Sequence, residues 1–396
     1  MTQPPVSVVI VSRDRPGSLD KTLRALKFQR DALFEVIVVC DPATAKQIDG
    51  TQLKLAILDE ANISRSRNIG VALAAGDVVA FIDDDAIPEP TWLARLTAPF
   101  SDPNVAASGG FVRGRNGISF QWKAEEIGRD GATSPIEVTE TTVLKATPSR
   151  AIKTQGTNCA FRRNLLCDLG GFDESYRFYL DETDLNVRLG MAGHLTAIVP
   201  GAEVQHGYAA SMFRGADRRP RSVFEIAASQ AHYCKTHGVP DAQLDKFMAD
   251  QHARIERAFV AGQLEPRDVR RLRAELVGGL ADGAQRDVQL KRAWEAAPAF
   301  KPYGTTPSEH VYIKSRLLSR RIAFNTARAR VADGQACTVI LLSLTALYHR
   351  RYFHPDGFWV QSGGIFGKSS RSDAVFKWYS TDARFKRERD FLKATR

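Results

Sequence analysis

The residues with the clearest chemical potential are three consecutive carboxylates, Asp83-Asp84-Asp85, at the end of the apolar run Asp77-Val78-Val79-Ala80-Phe81-Ile82. The run reads as a strand buried on both faces, and open α/β sheets bind ligands at the carboxyl ends of their strands. Three adjacent acids repel one another and are costly beside an apolar strand unless a cation or solvent lies close. Oxygen-rich carboxylate sites suit Mg²⁺ or Mn²⁺, held by one or two carboxylates together with substrate phosphates. A solvated acidic turn after a strand has the same sequence. What argues for a site is the company these acids keep. Ser12, Arg13, Asp14 and Arg15 follow one apolar run and Asp41 follows another. Asn62-Ile63-Ser64-Arg65-Ser66-Arg67-Asn68 opens a helix with two cations near its amino end, a setting favourable to phosphate. Together they describe a pocket for a nucleoside diphosphate and its metal.

The elements that must position these residues alternate. Strands are predicted over Val6–Val11, Phe34–Cys40, Leu53–Leu58 and Asp77–Ile82, with helices over Ser18–Gln29 and Asn62–Ala75 between them. Gly76 supplies a stop for the second helix. Such alternation specifies an α/β fold with a right-handed, parallel βαβ sheet. Neither a dinucleotide-binding glycine fingerprint nor a P-loop comes after the first strand, which weighs against dehydrogenases and P-loop nucleotidases.

Composition is that of a globular protein of 396 residues, 43% apolar and 25% charged. Five scattered cysteines without a C-x-x-C spacing point to a reducing compartment, with neither a disulfide framework nor a zinc site. Met1-Thr2-Gln3-Pro4-Pro5 carries no basic leader, and the longest apolar stretch, Ala336 to Tyr348, is too short to span a bilayer. The expected location is the cytoplasm, with peripheral attachment at the inner face of the plasma membrane as a candidate. Charge is uneven. Residues 1–206 carry 22 Lys and Arg against 26 Asp and Glu, whereas 207–396 carry 33 against 19. The second half therefore faces something anionic, an anionic membrane surface or a lipid-linked phosphate, or else is simply a solvated basic surface.

The succession Val6–Ser12, Asp41, Asn62–Asn68 with Gly70, and Ala75-Gly76-Asp77 running into Asp83-Asp84-Asp85 resembles the donor half of family 2 glycosyltransferases. A second block is similar to their acceptor half: Gly156-Thr157-Asn158-Cys159-Ala160-Phe161-Arg162-Arg163, Gly170-Gly171-Phe172-Asp173 and Asp181-Glu182-Thr183-Asp184-Leu185-Asn186-Val187-Arg188, then Gly193, Pro200 and His206. The resemblance covers roughly residues 5–210. It implies a GT-A-like (Rossmann-like) fold, a mixed, mostly parallel sheet flanked by helices, with a mostly helical C-terminal extension. It also implies an inverting, metal-dependent glycosyltransferase using a nucleotide-sugar (nucleoside diphosphate sugar) donor and a glycan or lipid-linked saccharide acceptor in surface polysaccharide synthesis.

On that resemblance Asp83, Asp85 and His206 hold Mg²⁺ or Mn²⁺. Ser12, Arg13, Asp14, Asp41, Arg65, Arg67, Asn68, Asp83 and Asp84 bind the donor, and Asn158, Asp184 and Arg188 the acceptor. The family pattern Glu-Asp-x-Asp-Leu is replaced here by Asp181-Glu182-Thr183-Asp184. The base position therefore falls to Glu182, with Asp181 shaping the acceptor pocket and remaining the alternative base. No Gln-x-x-Arg-Trp string occurs, which counts against resemblance to the processive synthases of the family.

The expected organisation is a glycosyltransferase domain over 1–210 (donor half about 1–115, acceptor half about 116–210), a basic helical extension over 211–297, and a basic, aromatic segment over 298–396. Trp122-Lys123 and the Thr/Ser/Pro-rich stretch 129–150 read as an insertion covering the donor. Helices are predicted over Val223–His237, Asp241–Ala261 and Leu264–Gly278. A linker containing Pro298, Pro302, Gly304 and Pro307 comes next, and the glycines of Gly357–Lys368 read as tight turns packing aromatics. Two other functions fit parts of the pattern. A sugar-phosphate nucleotidyltransferase shares the carboxylate–metal chemistry but needs a Gly-rich basic loop, of which Arg13-Asp14-Arg15-Pro16-Gly17 is a poor version. A basic nucleic-acid-binding protein would leave the acidic clusters unexplained, so no nucleic acid is expected as a partner.

Overall fold

Runs of Val and Ile build the centre of the molecule. The computed structural model describes residues 4–128, 131–306 and 309–396. Its first part alternates β1 (Val6–Ser12), α1 (Pro16–Leu26), β2 (Phe34–Cys40), a short α2 (Pro42–Ala45), β3 (Lys54–Ile57), α3 (Ile63–Leu73) and β4 (Val78–Ile82). Every residue of β2 and β4 is buried, as continuous apolar runs require, whereas β3 alternates between half-buried and exposed and lies at the edge. β1 pairs in parallel with β4 and β2, and β2 with β3. α1 packs Leu19, Leu23 and Leu26 into the core. The Asn62 side chain caps α3 by accepting from the Arg65 amide.

The chain continues through β5 (Ala86–Pro88), α4 (Trp92–Thr97), β6 (Val105–Arg113), β7 (Phe120–Trp122), β8 (Glu125–Gly128), β9 (Thr133–Pro135), β10 (Thr142–Lys145), β11 (Arg150–Lys153), β12 (Asn158–Arg162), α5 (Arg163–Asp168), α6 (Asp181–Met191) and β13 (Leu195–His206). The main sheet runs β10-β13-β6-β12-β4-β1-β2-β3, with β12 antiparallel to β4 and β6 and β13 parallel to β6. This is the mixed, mostly parallel sheet that the sequence implies. The Asp triplet leaves β4 in the middle of it.

The reading of 129–150 as a covering insertion is corrected for its described part. Thr133–Pro135 pairs with β8 in a small sheet ordered β11-β8-β9, and Thr142–Lys145 forms the edge of the main sheet. Three- and four-residue strands carry too few apolar positions to show in a sequence. Residues 129 and 130 lie outside the described residues.

Beyond the sheet come α7 (Phe224–His237), α8 (Asp241–Val260) and α9 (Pro266–Gln285), packed around Val223, Ala227, Ile255, Leu272 and Leu276. α9 lies directly on α7 because Gly279 and Gly283 have no side chain, and a Cβ at either would collide with the α7 backbone. Residues 286–306 then run as a strap along the first domain. Trp294 Nε1 donates to Cys167 O (3.1 Å), the Lys301 amide to Glu35 (2.9 Å) and the Tyr303 hydroxyl to Leu23 O (3.1 Å). Pro307 lies outside the described residues.

The last part of the chain forms a second sheet, which the sequence pattern did not disclose. It is built from β14 (Val311–Arg316), β15 (Cys337–Ser343), β16 (Arg350–Phe353) and β17 (Trp359–Gly364), with α10 (Arg320–Ala332) and α11 (Thr381–Thr395) beside it. Its order is β14-β15-β17-β16, the first three parallel. The apolar stretch beginning at Ala336 becomes β15, almost wholly buried. The reading of Gly357–Lys368 as tight turns holds only at its ends, because Trp359–Gly364 is strand β17; a Cβ at Gly364 or Gly367 would strike the carbonyl of Thr345 or Leu347. No described helix is long and apolar enough to cross a membrane.

Candidate active site

Three strand ends converge on one cleft of about 760 Å³, lined among others by Ser12, Arg13, Asp14, Asp83, Asp85 and His206. Successive residues of the Asp triplet point different ways. Asp84 turns inward, fully buried, where it accepts from the Ser12 hydroxyl (2.6 Å) and pairs with Arg15 (3.0 Å). Burial pushes its carboxyl up to about 7, with Arg15 pulling against it. Asp84 is therefore an internal fastener of the triplet rather than a wall of the cleft.

Asp83 and Asp85 face the cleft and meet His206 from the end of β13. His206 Nε2 lies 3.3 Å from Asp85 Oδ1 and 3.9 Å from Asp83 Oδ2. His206 Nδ1 lies 3.1 Å from Gln121 Oε1, so an Nδ1–H donated there leaves the Nε2 lone pair aimed at the two carboxylates. One ligand atom from each of Asp83, Asp85 and His206 falls within 4.8 Å of the others. Asp85 also accepts from the Ala209 amide (2.6 Å). Although burial opposes its charge, its carboxyl is held well below the usual range, by His206 when its Nε2 carries a proton and by Arg15 and the Ala209 amide. Two oxygens and an imidazole nitrogen form a donor set that suits Mn²⁺ or Mg²⁺.

Arg67 joins this group to the second acidic cluster. It is buried, stacks over Phe172 and Phe81, donates to Gly156 O (3.1 Å), lies 3.8 Å from Asp83 and binds Asp181. Burial disfavours its charge, yet Asp181 and Asp83 raise its pKa above the ordinary value. Asp181 is thus committed to an ion pair. Glu182 is half-buried, and its side chain accepts a long hydrogen bond from the Thr183 hydroxyl at 3.5 Å. Burial, with Asp181 beside it, pushes the Glu182 carboxyl up to about 7. The turn into α6 is strained, for Tyr179 (φ 75°) and Leu180 (φ 65°) are both left-handed without being glycine. Neither acid is on the wall of the 760 Å³ cleft; Tyr179, just before them, is.

The remaining sequence-predicted residues are held within the fold. Asp41 accepts from the amides of Asp14, Ala43 and Thr44 and from the Thr44 hydroxyl. Against burial, these donors hold its carboxyl down at about 2. Arg65 is exposed and pairs with Glu60, while Asn68 exchanges hydrogen bonds with the Phe172 backbone and donates to Glu174. Asp184 binds Arg188 and His237 (2.8 Å each), and Arg188 also donates to Leu169 O and Gly171 O. Asn158 is fully buried, donating to Phe111 O (3.0 Å) and Ala202 O (2.8 Å) and accepting from Trp92 Nε1 (2.8 Å).

These contacts, which engage the side-chain polar atoms of all three among the described residues, fasten β12 and α6. Asn158→Ala leaves three buried polar groups unpaired, so unfolding by denaturant should show a loss of about 2–4 kcal/mol. A midpoint equal to that of the parent would contradict this.

Sequence reasoning missed four arginines of the cleft wall. Arg177, Arg214, Arg221 and Arg254 line the cleft, the last from α8, far along the chain. Arg214 stacks on Tyr208 (5.1 Å), and its buried Nε has no partner. In the sequence Arg214 and Arg221 belong to a basic stretch and Arg177 and Arg254 stand apart from it, and nothing there brings the four into one cleft. The nucleotidyltransferase reading finds no support in the β1–α1 loop, where the Asp14 amide is spent on Asp41.

Known proteins resemble part of this chain. A pre-mycofactocin glycosyltransferase of Mycobacterium tuberculosis is 29% identical over 214 residues, 51% of this chain and 43% of that protein. A glucosyl-dolichyl phosphate glucuronosyltransferase of Haloferax volcanii is 28% identical over 185 residues, 42% of this chain and 56% of that protein. The chain thus spans about half the length of these relatives. Among solved structures, a mannosyltransferase from Pyrobaculum calidifontis in complex with GDP-Man and Mn²⁺ aligns with 72% of this chain and 88% of its own, at 16% identity and a TM-score of 0.44. Residues 4–225 match the model of the glycosyltransferase-like family 2, and on that match the chain belongs to this family.

Proposed function

We propose that the chain is an inverting, divalent-metal-dependent glycosyltransferase. It moves a hexosyl group from a nucleotide-sugar to a glycan or lipid-linked saccharide in surface polysaccharide synthesis, working at the cytoplasmic side of a membrane. The observation that carries this reading is the meeting of Asp83, Asp85 and His206 in a cleft rich in arginine, with Glu182 beyond Arg67. The names of the two relatives support sugar transfer, one of them to a lipid-phosphate acceptor.

Asp83, Asp85 and His206 would hold Mg²⁺ or Mn²⁺, which when bound neutralises charge on the leaving diphosphate. Arg13, Arg15 and Arg214 on the cleft wall offer donors to the phosphates. Glu182 takes the proton of the acceptor hydroxyl as that oxygen attacks the anomeric carbon from the face opposite the departing diphosphate. Arg67 holds Asp181 away from that role and keeps the two acidic groups in register.

The test is a thermal-shift screen of nucleotide-sugars with Mn²⁺ or Mg²⁺ present. A donor at 100 times its Kd stabilises by about 2.7 kcal/mol. A screen in which no nucleotide-sugar raises the midpoint with either ion would overturn the reading.

A further inference from the structure

The second sheet carries a feature that sugar transfer does not use. Its three parallel strands all end at one edge, and each ends in apolar residues open to solvent. After β14 come Leu317, Leu318 and Ile322; after β15 come Leu344, Leu347 and Tyr348. After β17 comes Phe366, on which Phe376 and Trp378 pack with ring centroids 5.2 and 4.9 Å away. The loops after β15 and β17 are joined. The Phe366 amide donates to Thr345 O (3.1 Å) and the Gly364 amide to Leu347 O (2.9 Å). Leu318 is 99% exposed, Trp378 77%, Leu344 71% and Tyr348 62%. With Val375, this edge holds nine of the 21 exposed large apolar side chains among the described residues. An apolar concentration of this kind marks an interaction surface.

Its charge selects the partner. Arg316, Arg320 and Arg321 flank the leucines, and Arg350, Arg371 and Lys377 flank the aromatics, all exposed. The carboxylates nearest in the chain, Asp373 and Asp382, are engaged by Arg387 and Lys314. Residues 309–396 as a whole carry 17 Lys and Arg against 7 Asp and Glu. A second copy of the chain would set this cationic edge against itself. Leucines with Trp and Tyr, ringed by Arg and Lys, are matched instead to the boundary between acyl chains and anionic headgroups.

We propose that the carboxyl edge of the second sheet is a docking surface for an anionic lipid bilayer. Leu318, Leu344, Tyr348 and Trp378 enter the interface while the flanking cations meet lipid phosphates. The docked sheet would carry the cleft with it. Gln205, next to His206, donates to Arg351 O (2.9 Å), and the Arg351 amide donates to Asn116 O (2.8 Å).

The test needs no sugar donor and is therefore independent of the transferase reading. The protein is sedimented with phosphatidylcholine vesicles containing or lacking phosphatidylglycerol, some with brominated acyl chains. It should pellet with the anionic vesicles, and each cation removed from the edge should weaken partitioning about fivefold at low salt. Trp92 and Trp359 are buried and Trp378 is the most exposed of the five tryptophans, so bromine quenching that W378F abolishes reports insertion at this edge. The triple variant L318S/Y348S/W378S changes only exposed side chains and should lose at least tenfold in partitioning with an unchanged thermal midpoint. If that variant fails to fold, the quenching of the parent protein decides. Failure to pellet with anionic vesicles at low salt would overturn the proposal. Pelleting without Trp378 quenching, or a self-association in sedimentation velocity that the triple variant abolishes, would also do so.

Discussion

Glu182→Gln should lower the rate of sugar transfer roughly 10²–10⁴-fold while leaving nucleotide-sugar affinity nearly unchanged. The substitution keeps size and hydrogen bonding and removes only the capacity to take a proton. Its neighbour is a poor substitute, because Asp181 is buried in a direct ion pair with Arg67, whereas Arg67 and Lys153 act on Glu182 only through their charge. Glu182 also has the better acidity for the task. Burial and Asp181 hold its carboxyl at about 7, where a base is strong enough to accept a proton and still about half ionised at neutral pH.

That acidity gives the pH dependence its sign. A pKa raised above the ordinary carboxylate value means that the ionised form is lost as pH falls through about 7. Transfer should therefore rise with pH to a plateau above that value, and the Gln variant should lack this limb. Should Glu182→Gln transfer at the parent rate while Asp181→Asn is inactive with its thermal midpoint intact, the base is Asp181. Asp181→Asn is expected to lower that midpoint, since it removes the nearest carboxylate from the buried Arg67 charge and leaves Asp83 at 3.8 Å.

How far the sequence could be read depended on what a residue's neighbours in the chain disclose. β2 and β4 are continuous buried runs, so their extents and the place of the Asp triplet were legible from apolar pattern alone. β8 to β11 are three or four residues each and were not. Motif resemblance marked Asn158, Asp184 and Arg188 as important without saying why. In the structure their polar atoms are consumed in fastening β12 and α6, a role that a pattern of recurring residues cannot separate from ligand contact. Asp83, Asp85 and His206 come together only through the pairing of β13 with β5 and β6, across more than a hundred residues of chain. Arg214 and Arg254 were visible only as charge, because no local period reports which arginine of a basic helical region turns toward a cleft.

The second large effect concerns the metal group. Asp85→Asn should reduce transfer by at least about 10²-fold, and chelation by EDTA should reduce the parent enzyme to a similar level, with activity restored by added Mn²⁺ or Mg²⁺. Asn is the informative substitution. Its amide oxygen can still accept from the Ala209 amide, so the turn after β13 keeps its anchor while the charge beside His206 is gone. Asp83→Asn should behave alike in rate but add a structural disturbance, since it removes one of the two carboxylates that Arg67 faces. Two readouts separate charge loss from unfolding. The thermal midpoint of Asp85→Asn should stay near the parent value without metal, and the shift that Mn²⁺ produces in the parent should vanish. Full transfer in EDTA would remove the metal from the mechanism and leave the cleft's arginines as the sole counter-charge for the diphosphate. A metal-induced shift surviving in Asp85→Asn would mean that the ion is held elsewhere than between β4 and β13.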